Sequence, residues 1–395
     1  MSTASAVVAQ RREERLLLGT FALGHFANDW TAGSLLLLTP AIALAMDLGP
    51  AEIGLMLTLY GIGGGLAYLP AGIVADHTRR RGLLLLFTFW WGVVGYVIAS
   101  LAPDYWSLTL LLAIAVMGDA AWHPIATGAL AQLMPDRKAR ALGLHAMGGT
   151  IGAEAVAPLA VGFLLVWFDW RTVMQLSVLP ALIMGIAFIP MVKRIAAPPE
   201  HRFDVAGLME LLRRWKTPLG VGLVGFAVMY NMATIAAIAM TPLYLTSYHG
   251  LSTVATGITF AAMVIFGSIL QPVIGHASDR VGRKLLLVVT LGAAGVFAVL
   301  AAVVAGFVPF LVFLILAVAL LTGIRPVVLA AAVEVSGERE STTLGLAFML
   351  MDGIGALGAV IAGIAGQGDL SHAFLLAGVL SLLACGVAAI LQFRR

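Results

Sequence analysis

The sequence runs to 395 residues, of which 61% are hydrophobic and 11% charged, with a mean hydropathy of +1.01. A soluble globule of that length needs far more polar surface, so composition excludes one and leaves the membrane as the class that fits. The net charge of +3 calls for no nucleic-acid partner, because basic loops facing an anionic inner leaflet account for it.

Taken in chain order, residues 1–15 read as a polar, basic tail. Apolar runs of about 20 residues, the length that crosses a bilayer, then recur twelve times. They cover Leu16–Leu44, Ile53–Ala75, Leu83–Leu101, Leu108–Met134, Ala141–Phe168 and Val173–Val192, then Leu219–Leu245, Ala255–Ala277, Leu285–Val304, Phe310–Val333, Leu344–Ala365 and Phe374–Leu391. These runs are apolar nearly all round, whereas helices of a soluble bundle need a polar face. The first run is too long for a signal-peptide core and lacks a small-residue cleavage site, so it is expected to stay as a span.

Of the 23 basic residues, all but Arg171 and Arg325 fall on one side when the gaps are numbered alternately. That asymmetry predicts both termini in the cytoplasm and an even number of spans, in a cell inner (plasma) membrane. The longest stretch between spans, residues 193–216, holds Pro198-Pro199 and then Leu208, Leu211, Leu212 and Trp215 on one helical face. It reads as a cytoplasmic linker with a short amphipathic surface helix, joining an N-terminal bundle at 16–192 to a C-terminal one at 217–395. The expected fold is all-α and integral to the membrane, twelve helices in two pseudo-symmetric six-helix bundles.

Ionisable groups inside spans cost several kcal/mol when unpaired, so each is a functional candidate. The first span carries His25, Asn28 and Asp29, and the fourth carries Asp119 and His123. Within each helix the histidine and the aspartate are four residues apart and share a face. Because the two helices run in opposite directions, the pairs should meet in register, His near His and Asp near Asp. Such a set is a proton relay in outline, since like carboxylates resist ionising together and histidine titrates near neutrality. Glu154 lies at a similar depth in the fifth span and could join it; His145, nearer the cytoplasmic end, reads as interfacial packing.

In the second half Asn231 occupies the depth of Asn28, while Arg325 in the tenth span and Asp352 in the eleventh lie about equally deep. Those two form either a buried ion pair locking neighbouring helices or a docking point for an anionic substrate on Arg325. The tryptophans Trp90, Trp91, Trp106, Trp122, Trp167 and Trp170 are expected mostly near span ends or lipid, and Glu334 at the membrane edge. Cys385 is the only cysteine, which excludes an intramolecular disulfide and a cysteine-based metal cluster.

After the second span comes Gly72-Ile-Val-Ala-Asp76-His-Thr-Arg-Arg80-Arg81, and after the eighth comes Gly275-His-Ala-Ser-Asp279-Arg-Val-Gly282-Arg283-Lys284. The two copies stand 203 residues apart, about half the chain, as an internal repeat of two six-span halves would place them. The loop resembles the signature between helices 2 and 3 of the major facilitator superfamily, Gly-x-x-x-Asp-x-x-Gly-Arg-Lys/Arg. The second copy matches throughout; the first has Arg79 at the second glycine. The resemblance implies two bundles rocking about a midplane site, with Gly72, Asp76, Arg80, Gly275, Asp279 and Arg283 in a cytoplasmic gate. Gly24-His25-Phe-Ala-Asn28-Asp29 and Trp122-His123-Pro124 are similar to the fosmidomycin-resistance branch of that superfamily, as is Gly148-Gly149-Thr-Ile-Gly152 followed by Pro158. That branch implies proton-driven efflux of a small, anionic or drug-like compound.

The function expected is a proton-coupled antiporter, with His25, Asp29, Asp119, His123 and Glu154 handling protons and Asn28, Asn231, Arg325 and Asp352 meeting the substrate. Partners are protons, a small molecule and the lipid bilayer; the state expected is a monomer without a cofactor. Two histidines with two or three carboxylates are also an oxygen and nitrogen ligand set for a divalent metal. A metal-ion transporter therefore stands as an alternative, as does a non-transporting receptor on the same scaffold. An enzyme is not expected, because no nucleophile–base–orienter set, phosphate loop or metal motif of known spacing occurs.

Overall fold

The computed structural model describes residues 3–134, 138–195, 209, 213, 215–333 and 345–392. Among them are twelve helices long and apolar enough to cross a membrane. They are α1 (Arg12–Met46), α2 (Pro50–His77), α3 (Arg81–Ser100), α4 (Tyr105–Leu130), α5 (Ala141–Leu164), α6 (Trp170–Arg194), α7 (Pro218–Tyr248), α8 (Thr253–Ser278), α9 (Arg283–Val303), α10 (Phe307–Ala331), α11 (Gly345–Ala365) and α12 (Ser371–Ile390). Helix is the form the composition demands, because a lone segment in hydrocarbon must satisfy its own backbone groups. Several helices start on side-chain caps outside the apolar layer. Asp104 takes the Ser107 N–H of α4 at 3.0 Å, Asp169 those of Arg171 and Thr172 in α6 at 2.9 and 3.2 Å, and Ser252 that of Ala255 in α8 at 3.2 Å.

The halves repeat each other in packing as well as in sequence. In the first, α1 lies on α5 and α6, and α4 lies between α2 and α3; in the second, α7 lies on α11 and α12, and α10 lies between α8 and α9. Pro40 and Pro242 sit at matching places in α1 and α7, and Pro70 and Pro272 in α2 and α8. Leu23, Leu66, Ile183, Ile269 and Val296 are exposed, an apolar exterior suited to lipid.

The halves touch along two seams, α2 against α11 and α5 against α8. Both are tightest towards the face opposite the basic loops, where glycine lets backbones meet. A Cβ on Gly162 would lie 2.7 Å from the Thr253 carbonyl oxygen, and one on Gly257 2.7 Å from that of Pro158. On the other seam Gly54 abuts Ala359, and Thr58 Oγ1 donates to the Ala356 carbonyl at 2.8 Å. Two stretches of these seam helices are wound as π-helix, Thr150–Val156 in α5 and Met349–Ile354 in α11. Each carries one acid, Glu154 and Asp352.

The repeated loops close differently. Gly282, the second glycine of the second copy, has φ +93°, a conformation a side chain resists. The first copy has Arg79 there and turns without a positive φ. The amphipathic linker helix lies outside the described residues apart from Met209, Arg213 and Trp215, of which Trp215 is buried against Leu346 and Ala347. Glu334 and the Asp279 side chain also lie outside them.

Candidate functional site

The first-half cluster assembles around Asp29. His25 Nε2 lies 3.0 Å from Asp29 Oδ2, one helical turn away, and His123 Nε2 reaches Asp29 Oδ1 from α4 at 3.7 Å. The two imidazoles stand edge to face with centroids 5.0 Å apart. Asn28 joins the carboxylates: its amide nitrogen donates to Asp29 Oδ1 at 3.1 Å and to Asp119 Oδ1 at 2.8 Å, with the Asp119 carbonyl at 3.2 Å. The antiparallel register read from the sequence thus brings His25, Asn28, Asp29, Asp119 and His123 together. The ligand atoms of His25, Asp29 and His123 lie within 4.8 Å of one another.

His145 belongs to the same cluster, although its position near a span end suggested only packing. Its carbonyl faces His25 Nδ1 at 2.8 Å, and its ring stacks on His25 with centroids 4.1 Å apart. A carbonyl can only accept, so His25 Nδ1 carries its proton and Nε2 is left to face Asp29. Close approach of α5 makes this possible, since Gly148 packs on the Ala22 backbone and Gly149 on the His25 ring. Trp122, expected near lipid, is instead fully buried among Phe21, Phe89 and Phe188, beneath Gly24. The run of small residues around Gly148 was the one available sign of such packing.

A central cavity of about 370 Å³ lies between the halves. Of the first-half cluster only Asp119 lines it; His25, Asp29 and His123 stand behind. Glu154 lines it too, but its hydrogen bond comes from Ser268 Oγ of α8, in the other half, rather than from the His/Asp set. In the second half Arg325 Nη2 lies 3.6 Å from Asp352 Oδ2, and Asn231 donates to the Met351 carbonyl at 2.9 Å and to Asp352 Oδ1 at 3.3 Å. Asn231 therefore does in its half what Asn28 does in the first, tying the half's first helix to a carboxylate. Tyr60, Tyr68, Tyr230, Thr234, Gln271 and Thr322 add to the polar wall, and sequence reasoning had assigned none of them.

At the first basic loop Asp76 is bonded by Arg81 rather than by Arg80. The fully buried Arg81 donates to Asp76 Oδ1 at 2.9 Å, to the Ala75 carbonyl at 2.7 Å and to Gln132 Oε1, just past the end of α4, at 2.6 Å. Arg81 opens α3 and reaches back over the end of α2, where a cation meets the negative end of the helix; Arg80 is exposed. Gly72 packs near Pro124 at an ordinary distance, while nothing lies within 4 Å of where a Gly275 Cβ would be. Among the described residues no close helix approach occurs at Gly275, one reason to expect glycine there.

Comparison with known proteins bears on the whole chain. The model of the Major Facilitator Superfamily matches residues 21–269 and 222–395. A probable sugar efflux transporter of Helicobacter acinonychis is 28% identical over 206 residues, 51% of this chain and 50% of that protein. One of Pasteurella multocida is 25% identical over 262 residues, 65% of this chain and 61% of that protein. A probable 4-methylmuconolactone transporter of Cupriavidus pinatubonensis is 27% identical over 152 residues, 37% of this chain and 35% of that protein. The chain thus spans about half the length of the first of these curated relatives. Among solved structures, a bacterial homologue of the human lysosomal transporter Spinster, inward-facing and unoccupied, superposes with a TM-score of 0.79 at 17% identity, covering 95% of this chain and 96% of that one. The nucleoside transporter NupG does so with 0.74 at 15% identity, covering 95% and 97%. These likenesses concern the fold alone, but with the family match along both halves they identify the chain: it belongs to the Major Facilitator Superfamily of membrane transporters.

Proposed function

We propose that the chain is a secondary active transporter that exports a small organic compound in exchange for protons, by alternating access of the central cavity. The observation that supports this most is the Asp29 carboxylate held by His25 and His123 and linked through Asn28 to Asp119 on the cavity wall. Groups of that kind, buried in contact and reaching a cavity at one point, are what a proton-linked site needs. The sugar and lactone transporters named above support a small organic cargo, and the His-x-x-Asn-Asp and His-Pro motifs support a place near the fosmidomycin-resistance branch. The termini are taken to be cytoplasmic in an inner membrane, following the basic loops.

Uptake of externally supplied labelled sugars, lactones or amino acids into proteoliposomes tests the coupling. An imposed pH gradient should drive accumulation at least about tenfold above the gradient-free level, since each pH unit is worth 1.36 kcal/mol. Asp29→Asn should abolish that response while downhill exchange persists. Equal transport with and without the gradient would sink the coupling.

The approach of the His25, Asp29 and His123 ligand atoms to within 4.8 Å of one another favours a second reading, transport of a divalent cation such as zinc. It requires saturable zinc binding in calorimetry that His123→Ala abolishes, and absence of binding to the unmutated protein removes it.

A further inference from the structure

The two walls of the cavity differ in charge. The first half contributes Asp119 and Glu154 and no basic residue, whereas the second contributes Arg325 with Asp352 beside it. Neutral hydrogen-bond donors on the walls are largely spent within the protein. Tyr60 shares its hydroxyl with Tyr96 at 2.7 Å, Tyr230 donates to the Leu321 carbonyl, Thr322 to that of Val318, and both N–H groups of Asn231 are taken. Arg325 is different. Its one ion contact among the described residues, to Asp352 at 3.6 Å, is longer than a hydrogen bond, and 42% of its side chain is exposed. Its guanidinium lines the cavity and keeps N–H donors for a guest.

The acids have capacity left as well. Asn28 donates to Asp119 Oδ1 and Ser268 to Glu154 Oε2, which leaves Asp119 Oδ2 and Glu154 Oε1 with lone pairs for a donor in the cavity. The lining also offers apolar surface, Leu57, Ile235 and Phe260 among it.

Resting on the reading of the chain as a transporter, we propose that the cavity binds a small zwitterion, its anionic group on Arg325 of the second half and its ammonium between Asp119 and Glu154 of the first, with an apolar body across the gap. An anion alone would meet three carboxylates around one guanidinium. A cation alone would leave the Arg325 donors facing no acceptor of its own, close to a like charge. A polyol would find most neutral donors occupied. A zwitterion matches both walls, and its two ends engage both halves, so occupancy bears on how the halves sit.

Four probes of similar size separate these cases: phenylalanine, phenylpropionate, phenethylamine and glucose, each labelled and bound to the purified full chain in nanodiscs at pH 7 with no gradient. Phenylalanine should bind at least about tenfold tighter than any of the other three, the scale of one charge-assisted hydrogen bond. Arg325→Gln should erase the preference for phenylalanine over phenethylamine, and Glu154→Gln should narrow that over phenylpropionate. Retained binding of the singly charged probe shows in each case that the variant is folded. Binding of phenylpropionate, phenethylamine or glucose as tight as phenylalanine, or binding of none of the four, overturns the proposal. Because no gradient is present, these results are independent of whether transport is proton-coupled.

Discussion

Asp169 and Asp29 are both carboxylates beside hydrogen-bond donors, and their surroundings give them opposite tasks. Asp169 stands outside the apolar layer and accepts from the Thr172 hydroxyl at 2.8 Å and from the N–H groups of Thr172 and Arg171. The Thr172 bonds, side chain first, hold its pKa below the ordinary carboxylate value. A depressed folded-state pKa means stability that is present above the unfolded value near 4 and lost as pH falls through the folded one. Asp169→Ala should therefore cost about 1 kcal/mol at pH 7, as loss of an N-cap does, and the difference in thermal unfolding should shrink as pH falls below about 4. An undiminished difference at low pH would show that the charge is not what caps α6. Asp29, in contrast, was legible from sequence because a charge inside an apolar run is costly wherever it points. That argument found His25, Asp119, His123, Arg325 and Asp352 as well. It could not find the roles of Arg81, one of three consecutive arginines, or of Gln132 and His145, since nothing in a linear pattern says which neighbour turns inward.

All twelve spans were legible at the scale of the helix, because twenty apolar residues in succession admit little else. Their ends shifted by a few residues, as with α2, read as Ile53–Ala75 and found as Pro50–His77. Hydropathy marks the lipid layer, whereas a helix ends at its cap. The π-wound stretches of α5 and α11 were not legible. An extra residue in a turn leaves composition unchanged, and such turns gather at functional sites; here each presents a cavity acid. The glycine seam is open to direct test. Gly257→Leu would press a branched side chain into the Pro158 carbonyl and Gly162 of the other half, and overpacking of this kind costs about 1–3 kcal/mol. Spin labels at the ends of α5 and α8 should then report a longer distance than in the unmutated chain; an unchanged distance would mean the seam yields without opening.

For the whole molecule, orientation rests on the basic loops. In a Cys385→Ala background, Arg80→Cys should react with a membrane-impermeant maleimide only after cells are broken, and Gly368→Cys, in the turn before α12, should react in intact cells. The reverse pattern would invert the protein. The paired halves were readable from loops and charge, but their unequal division of chemistry became concrete only with Asn28 in place. Its amide has two hydrogens and three acceptors, Asp29 Oδ1, Asp119 Oδ1 and the Asp119 carbonyl. A carboxamide does not pass protons along, so Asn28 joins Asp29 to Asp119 as a mechanical tie and not as a proton wire. If Asp119 is drawn towards a guest, the shared hydrogens are pulled from Asp29, and what passes through Asn28 is a change of grip, with protons left to reach Asp29 past His123, whose side chain is 24% exposed.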